Sequence, residues 1–511
     1  MFATIASVGR LIHATFVVAR YDALLPPDQL AKAPVLVRWG MKLTQLGKVE
    51  KLEGGENNQL TAALSRLGPS YIKLGQFLAT RPDVIGAKRA FELKALQDKL
   101  PPFPQKEAEA VVESELGKPV SVLFKSFGPS IAAASIAQVH QATTHDGKIV
   151  AVKILRPDIE RRFANDIRSF KLAAKQMERF SSEAKRLRPV AAVDMLNDSM
   201  IHELDLRMEA AALSEIGQNA KDDPGFRVPD VFWNLSSKRV LTTEWIDGTP
   251  MADVETLRQR GLDLKALGDT VIQSFLRHAI RDGFFHADMH QGNLIVDDNG
   301  TLVALDFGIT GRLSDGDRLF LAEILYGFIT RNYRRIAQVH FEAGYIPETE
   351  DVETFAQALR AIGEPIMGLP AGEISMSRLL TQLFEVTEQF NMQTQPQLLL
   401  LQKTMVVTEG VARTLNPELN IWKTGEPVVR GWIERKLGPL GKIEQAVGSA
   451  GTLSGLALRF PQVLAEAHGL TRKFSDMVDV QSKPPSPWPN RLLGVCALAL
   501  VVIAMKLVFY K

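Results

Sequence analysis

An α+β chain organised as two lobes is what this sequence predicts, and three observations carry the prediction. Apolar β-formers flank tight turns at residues 139–155, around Asp146-Gly147, and again at 294–305, around Asp297-Asp298-Asn299-Gly300; each is the pattern of a β-hairpin. Residues able to do phosphate and metal chemistry sit on or beside both hairpins. From about residue 315 to 475 the apolar spacing is helical and otherwise uninformative. A chain of 511 residues has room for about two to four domains. Its 46% hydrophobic and 23% charged residues are those of a globular protein with a good core.

The second hairpin carries the sharpest chemistry. His286-Ala287-Asp288-Met289-His290-Gln291-Gly292-Asn293 precedes it and Asp306-Phe307-Gly308 follows it. The spacing from Asp288 to Asn293 is the D-x-x-x-x-N of a kinase catalytic loop, and the second motif is D-F-G. A hairpin between them returns Asp306 close to Asn293, so an amide and a carboxylate can share a Mg²⁺ ion, while Asp288 faces the reacting oxygen.

An ATP site of this kind needs a strand lysine and a carboxylate to orient it. Lys153 lies in Val150-Ala151-Val152-Lys153, near V-A-I-K, on the second strand of the first hairpin. Residues 202–210 read as one helix, on which Glu203, Asp205 and Glu209 are all candidates to pair with Lys153; Glu209 is favoured. The phosphate-covering loop departs from G-x-G-x-x-G. Here the run is Ser130, Ile131, Ala132, Ala133, Ala134, Ser135, Ile136, Ala137 and Gln138. Alanine keeps a loop small but does not visit left-handed conformations cheaply, so nucleotide phosphates should be held differently from those in a protein kinase. An alanine-rich run by itself is usually helix; its place before Lys153 favours phosphate contact. At the adenine end, residues 238–248 read as a strand running into a turn, with the backbone of Glu244 and Ile246 as candidates for the adenine edge; an ordinary edge strand fits the same residues.

Taken in order, Lys73-Leu74-Gly75-Gln76, the alanine run, Lys153, Glu203-Leu204-Asp205, Glu209, Asp288 with Asn293, and Asp306 make the chain resemble the UbiB family, atypical kinase-like proteins that support ubiquinone (coenzyme Q) biosynthesis. The resemblance runs from about residue 60 to 310. It implies a two-lobed kinase-like fold binding ATP with Mg²⁺. It also implies that Lys73 and Gln76 lie on a helical N-terminal extension over the place where a protein substrate would dock, with Glu203 and Asp205 facing them. By periodicity alone residues 60–78 form a helix ending near Pro82, and Lys73 and Gln76 could equally be solvated. Ala287 stands where H-R-D has arginine, and no A-P-E follows Asp306, both of which argue against a phosphorylation-controlled protein kinase. Residues 318–328 instead run into an apolar helix.

The domains expected are a helical extension at 1–120, an ATP-binding lobe at 121–248, a catalytic and helical lobe at 249–480, a Pro-rich linker at 481–490 and a membrane-anchor segment at 491–511. The last segment is interrupted only by Lys506, with Trp488 and Tyr510 placed for opposite interfaces; a docked tail helix is the alternative. Bacterial members of the family often carry two such spans, and one is found here. Basic residues outnumber acidic ones from Glu434 onward, which suits anionic headgroups on the cytoplasmic face of a bacterial inner membrane. Residues 1–20 read as a surface helix and not as a cleaved signal. A net charge of +2 gives no support to nucleic-acid binding, and the single cysteine, Cys496, allows neither an internal disulfide nor a zinc cluster.

The function expected is that of a membrane-associated atypical kinase or ATPase that uses Mg-ATP to handle hydrophobic quinone precursors or to organise other enzymes of ubiquinone biosynthesis. Its partners would be a precursor lipid and an anionic membrane. The alternatives are a small-molecule phosphotransferase of the aminoglycoside or choline kinase type, whose catalytic loop residues 288–293 also resemble, and a non-catalytic nucleotide-binding scaffold. A metallohydrolase built on His286, Asp288 and His290 would leave the Lys153 hairpin unexplained. There is no flavin fingerprint or iron-ligand constellation for a hydroxylase.

Overall fold

The computed structural model describes residues 2–21, 59–79, 92, 93, 96, 100–180, 188–368, 386, 389–392 and 396–437. The chain separates into Met1–Ile433 and Glu434–Lys511. All that follows belongs to the first unit; of the second, only the end of the helix Ile421–Leu437 is described. The expected linker at 481–490, the anchor at 491–511 and the helix end at Pro82 lie outside the described residues. Among the described residues no helix is long and apolar enough to cross a membrane.

The strands in chain order are β1 (Ser126–Ala133), β2 (Ala137–Thr143), β3 (Ile149–Leu155), β4 (Phe226–Arg227), β5 (Val240–Glu244), β6 (Gly248–Pro250), β7 (Phe284–His286), β8 (Leu294–Asp297), β9 (Leu302–Ala304) and β10 (Thr310–Arg312). They form a four-stranded sheet ordered β1-β2-β3-β5, a second ordered β4-β9-β8-β6, and the pair β7-β10. Both expected hairpins form. β2 pairs β3 antiparallel with Val139 opposite Lys153, and β8 pairs β9 with Leu294 opposite Ala304. The turn of the second hairpin closes because Asp297 Oδ1 accepts from Asn299 N and Thr301 N, with Gly300 at φ +80°.

Alternation along β3 decides which side chains meet the site. Val150, Val152 and Ile154 are fully buried against Ala108, Val111 and Val112 of the helix Gln105–Leu116 and against Phe124. With a period of two, Lys153 must project from the other face of the sheet. That face is covered by the helix Leu206–Asn219, whose buried stripe is Leu206, Glu209, Ala210, Leu213 and Ile216.

Two expected helices are each broken. The spacing over 60–78 forms Gln59–Leu67 and Pro69–Ala79, parted at Gly68. Gly68 has φ +97°, and Arg162 Nη2 donates to the Leu67 carbonyl at 2.8 Å where a Cβ on Gly68 would stand. Left-handed backbone followed by proline ends one helix and starts the next. Residues 202–210 likewise divide between Pro189–Glu203 and Leu206–Asn219. Asp205 caps the second, its carboxylate accepting from Arg207 N at 3.1 Å. The N-terminal helix Phe2–Arg20 buries Ala14 and Val17 and exposes Val8, Ile12 and Phe16, as expected of a surface helix.

The chain leaves the first sheet at Glu244 and enters the second at Gly248, whose Cα lies against the backbone of β8. A Cβ there would run into Val296 O, Ile295 Cγ2 and Asp297 Cα. Backbone cannot yield as a side-chain end can, so Gly248→Ala is expected to cost about 1–3 kcal/mol, read as a lower urea midpoint at unchanged slope.

Candidate nucleotide and phosphoryl-transfer site

Three parts of the chain converge on one ammonium group. Lys153 Nζ donates to Glu209 Oε1 and Oε2 at 2.7 and 2.8 Å and to Asp306 Oδ2 at 3.0 Å. Of the three carboxylates open to Lys153 in the sequence, the structure pairs it with Glu209; the helix break sends Glu203 and Asp205 elsewhere. Burial opposes the charge on Lys153, but the two carboxylates more than offset it and hold the ammonium well above the usual lysine value. Burial raises the Glu209 carboxyl above its ordinary value. Burial pushes Asp306 the same way, yet Lys153 and the Gly308 N–H, 2.9 Å from Oδ1, hold it well below the usual carboxylate range.

Asp306 is returned to Asn293 by the β8-β9 hairpin, where Leu305 N donates to Asn293 O at 2.9 Å. Asn293 Nδ2 donates to the Asp288 carbonyl at 3.1 Å, which leaves Oδ1 as the amide's metal-binding end. A carboxylate and an amide oxygen are hard ligands of the kind Mg²⁺ takes, and Glu209, Asp306 and Asp288 together exceed the charge of Lys153. The residues present therefore fit Mg-ATP: Asn293 and Asp306 would hold the metal, and Lys153 the phosphates. When bound, Mg²⁺ neutralises charge on the phosphates.

The catalytic loop is braced from both sides. Asp288 N donates to His286 Nδ1 at 3.1 Å, and the His286 ring packs tilted against Phe307 with centroids 4.6 Å apart, tying one motif to the other. Burial pushes His286 down to about 4, so it is neutral at pH 7 and acts as an acceptor. Ala287 N donates to Ile309 O, and β7 pairs with β10 just beyond. Burial raises the Asp288 carboxyl, opposed by the neighbouring basic groups of His290, Lys403 and Lys73. His286 turns its Nδ1 to the Asp288 backbone, and among the described residues no three His, Cys, Asp or Glu side chains gather as a metal-holding group.

The alanine run is not one loop. Ser130, Ile131, Ala132 and Ala133 end β1, with Ala132 paired to Val139 and Ala133 to Gln138, and only Ala134, Ser135 and Ile136 turn. Gln138 is buried and turned away, its Oε1 accepting from Phe103 N at 2.8 Å. The turn is pinned by Arg156, whose Nη2 and Nε donate to Ala134 O at 2.8 and 3.2 Å and whose N donates to Ile136 O. Ile136 and Ala137 belong to the hydrophobic core that also holds Leu64, Tyr71 and Ile72. At the adenine end, Glu244 N is engaged with Asp230 O, and its carboxylate accepts from Arg227 Nη1 at 2.9 Å. That removes the Glu244 amide as a free donor, because β5 carries a bridge to Val231 on its outer edge. Ile246 is buried between the two sheets' strands in sequence.

On the N-terminal extension, Lys73 Nζ lies 2.7 Å from Glu203 Oε2, both side chains nearly buried. Gln76 is half-buried one turn on. Asp205 does not join them: its carboxylate is held by Arg207 Nε and Nη2 and by the helix it caps.

Comparison with known proteins accords with this geometry. The family model described as the ABC1 atypical kinase-like domain matches residues 95–340, and the UbiB helical domain matches 359–420. A protein of Marinobacter nauticus named "Probable protein kinase UbiB" is 37% identical over 489 residues, covering 94% of this chain and 87% of its own. The chain belongs to the UbiB family. Proteins of the same name from Pseudomonas aeruginosa and Pseudomonas putida are 37% and 36% identical, over 96% of this chain and 93% and 92% of theirs. Among solved structures, one titled "The complex structure of Rv3197-erythromycin from Mycobacterium tuberculosis" aligns with a TM-score of 0.49 at 25% identity, over 75% of this chain and 96% of that one. As a UbiB protein the chain has an atypical kinase-like domain, consistent with a role in ubiquinone biosynthesis, and such a domain implies use of ATP and Mg²⁺ in general terms.

Sequence reasoning missed Arg156, Thr404 and Lys403. Arg156 directly follows β3, a position that only the fold joins to the alanine turn. The other two lie on the helix Pro396–Leu415, inside the stretch whose spacing carries no functional signal.

Lys153→Met would strand two carboxylates. With Lys153 20% exposed, the loss is expected near about 3 kcal/mol at pH 7.5, the low end for removing one member of a buried ion pair. Because Glu209 has a raised pKa, lowering the pH protonates it and removes one of the two unpaired charges, so the loss should shrink at pH 5.5. Urea unfolding of both proteins at the two pH values checks the sign.

Proposed function

We propose that this chain is an ATP-hydrolysing atypical kinase of the membrane surface, turning over Mg-ATP to handle hydrophobic quinone precursors or to organise the enzymes that act on them. The observation that carries the reading is the convergence of Lys153, Glu209 and Asp306, from three separate elements, on the loop that holds Asp288 and Asn293. In phosphoryl transfer the protein's part is positioning and charge neutralisation. Asp288 would orient the attacking oxygen and accept its proton, and Lys153 would face the phosphates.

The acceptor is proposed to be water or a small lipid-borne hydroxyl, although the relatives are named protein kinases. Three features support this. Lys73 is held against Glu203 close enough to the site for its charge to act on Asp288. Ala287 supplies no arginine to answer an activation-loop phosphate, and β10 leads within a few residues into the helix Asp315–Ile329. The partners proposed are a ubiquinone precursor and an anionic bilayer on the cytoplasmic face of the inner membrane, supported by the basic, apolar sequence after Glu434.

Purified protein with Mg-ATP, with and without anionic liposomes and a quinone-like phenol, tests the reading. Phosphate release stimulated by lipid is expected, with Asp288→Asn losing about 10²-fold or more in kcat while still binding nucleotide. Equal release from both proteins would remove Asp288 from the mechanism, and transfer to added choline or an aminoglycoside would favour a small-molecule phosphotransferase. Because burial raises the Asp288 carboxyl, the base is active only above its raised pKa. The acid limb of kcat/KM against pH is therefore expected above the ordinary carboxylate range, and a limb at or below that range would contradict the assignment.

A further inference from the structure

The helix Pro396–Leu415 lies in the segment matched by the UbiB helical domain, yet it reaches the catalytic loop of the kinase-like domain. Thr404 is 1% exposed, and its Oγ1 donates to Ala287 O at 3.0 Å, sharing its proton with Leu400 O. The acceptor belongs to the residue directly before Asp288. This buried hydrogen bond fixes both the height and the rotation of the helix at the loop, with Thr408, also buried, one turn below. Lys403 is the neighbour of Thr404, and it is exposed. Its ammonium makes no ion pair or hydrogen bond among the described residues. Its charge nevertheless reaches the Asp288 carboxylate.

The other basic groups near Asp288 are already engaged. Lys153 lies between Glu209 and Asp306, and Lys73 is paired with Glu203. His290 accepts from Gly292 N through Nδ1, with Nε2 3.7 Å from Asp288 Oδ2. Residue 287, arginine in H-R-D, is alanine. Among the described residues, a terminal phosphate beside Asp288 thus has one full, uncommitted positive charge to meet it from the side of the helical domain. We propose that Lys403 is a catalytic residue of this site, its ammonium contacting the terminal phosphate of ATP from the Asp288 side while Lys153 holds the inner phosphates.

The proposal rests on the ATP-hydrolysing reading above. In the step concerned, a water oxygen forms a bond to the terminal phosphorus and gives its proton to Asp288. The bond from that phosphorus to the bridging oxygen breaks, and its electron pair leaves with ADP. Lys403 takes no part in the proton balance. It neutralises charge on the equatorial oxygens of the transferring group, which are spread in the transition state and absent from ADP.

Because ADP lacks the group that Lys403 would contact, the discriminating measurement is a ratio. Full-length protein carrying Asp288→Asn, with and without Lys403→Met, is titrated with Mg-ATP and with Mg-ADP, and kcat and KM for phosphate release are measured in the Asp288 background. Lys403→Met is expected to lower the preference for ATP over ADP by about tenfold and kcat by about tenfold to a hundredfold, with the Kd for ADP unchanged within about twofold. Lys403→Arg, which keeps the charge, should hold the ATP preference near that of the unsubstituted protein. An unchanged ratio overturns the proposal, and so does an equal loss of affinity for both nucleotides, which would mark a structural role for the helix. If the unsubstituted protein releases no phosphate, the hydrolytic reading fails, while the binding ratio still decides whether Lys403 meets the terminal phosphate.

Discussion

The ammonium of Lys153, held at 2.7 Å from Glu209 and 3.0 Å from Asp306, is the constraint from which the rest of the site can be derived. One charged group removed from water requires partners, and here two carboxylates come from a helix and a loop far apart in sequence. To bring them together, β3 must present Lys153 away from its own core, the helix Leu206–Asn219 must place an acidic residue in its buried stripe, and the β8-β9 hairpin must fold Asp306 back toward Asn293. Each condition follows from an ordinary local preference: alternation in a strand, a cap at Asp205, and a tight turn closed by Asp297 and Gly300.

Around that centre several segments are tied down. The alanine turn is short and tied to Arg156 through its own carbonyls, so it lacks the freedom of a glycine flap. The extension bearing Lys73 is anchored by Glu203, and its apolar residues Tyr71 and Ile72 share a core with Ile136 and Ala137 of the turn. From the other direction, Thr404 grips the backbone just ahead of Asp288. The two segments matched by separate family models therefore meet at the catalytic loop, through a buried side-chain to backbone hydrogen bond.

Interactions within a few residues of sequence were legible without coordinates. Both hairpins, the strand position of Lys153 and the proximity of Asp306 to Asn293 follow from turn residues and apolar alternation. Breaks in helices were not, because periodicity passes through them. Residues 60–78 keep helical spacing across Gly68, where left-handed backbone and the guanidinium of Arg162 divide the helix in two. Residues 202–210 keep it across Leu204, where a capping aspartate restarts the helix and separates Glu203 from Glu209. Composition misled at the alanine run, since small residues fit a paired strand next to a bulge as well as they fit a loop.

The sequence by itself determined the chemistry on offer: the residue types, their order, and the local turns that aim them, because hairpins and caps depend on neighbours along the chain. Only the tertiary structure decided who meets whom. It chose Glu209 over Glu203 and Asp205 for Lys153, gave Glu203 to Lys73, withdrew the Glu244 amide into a bridge, and brought Thr404 to the Ala287 carbonyl, next to Asp288. Those choices rest on burial and on pairing charges across long sequence separations, which spacing along a chain does not encode.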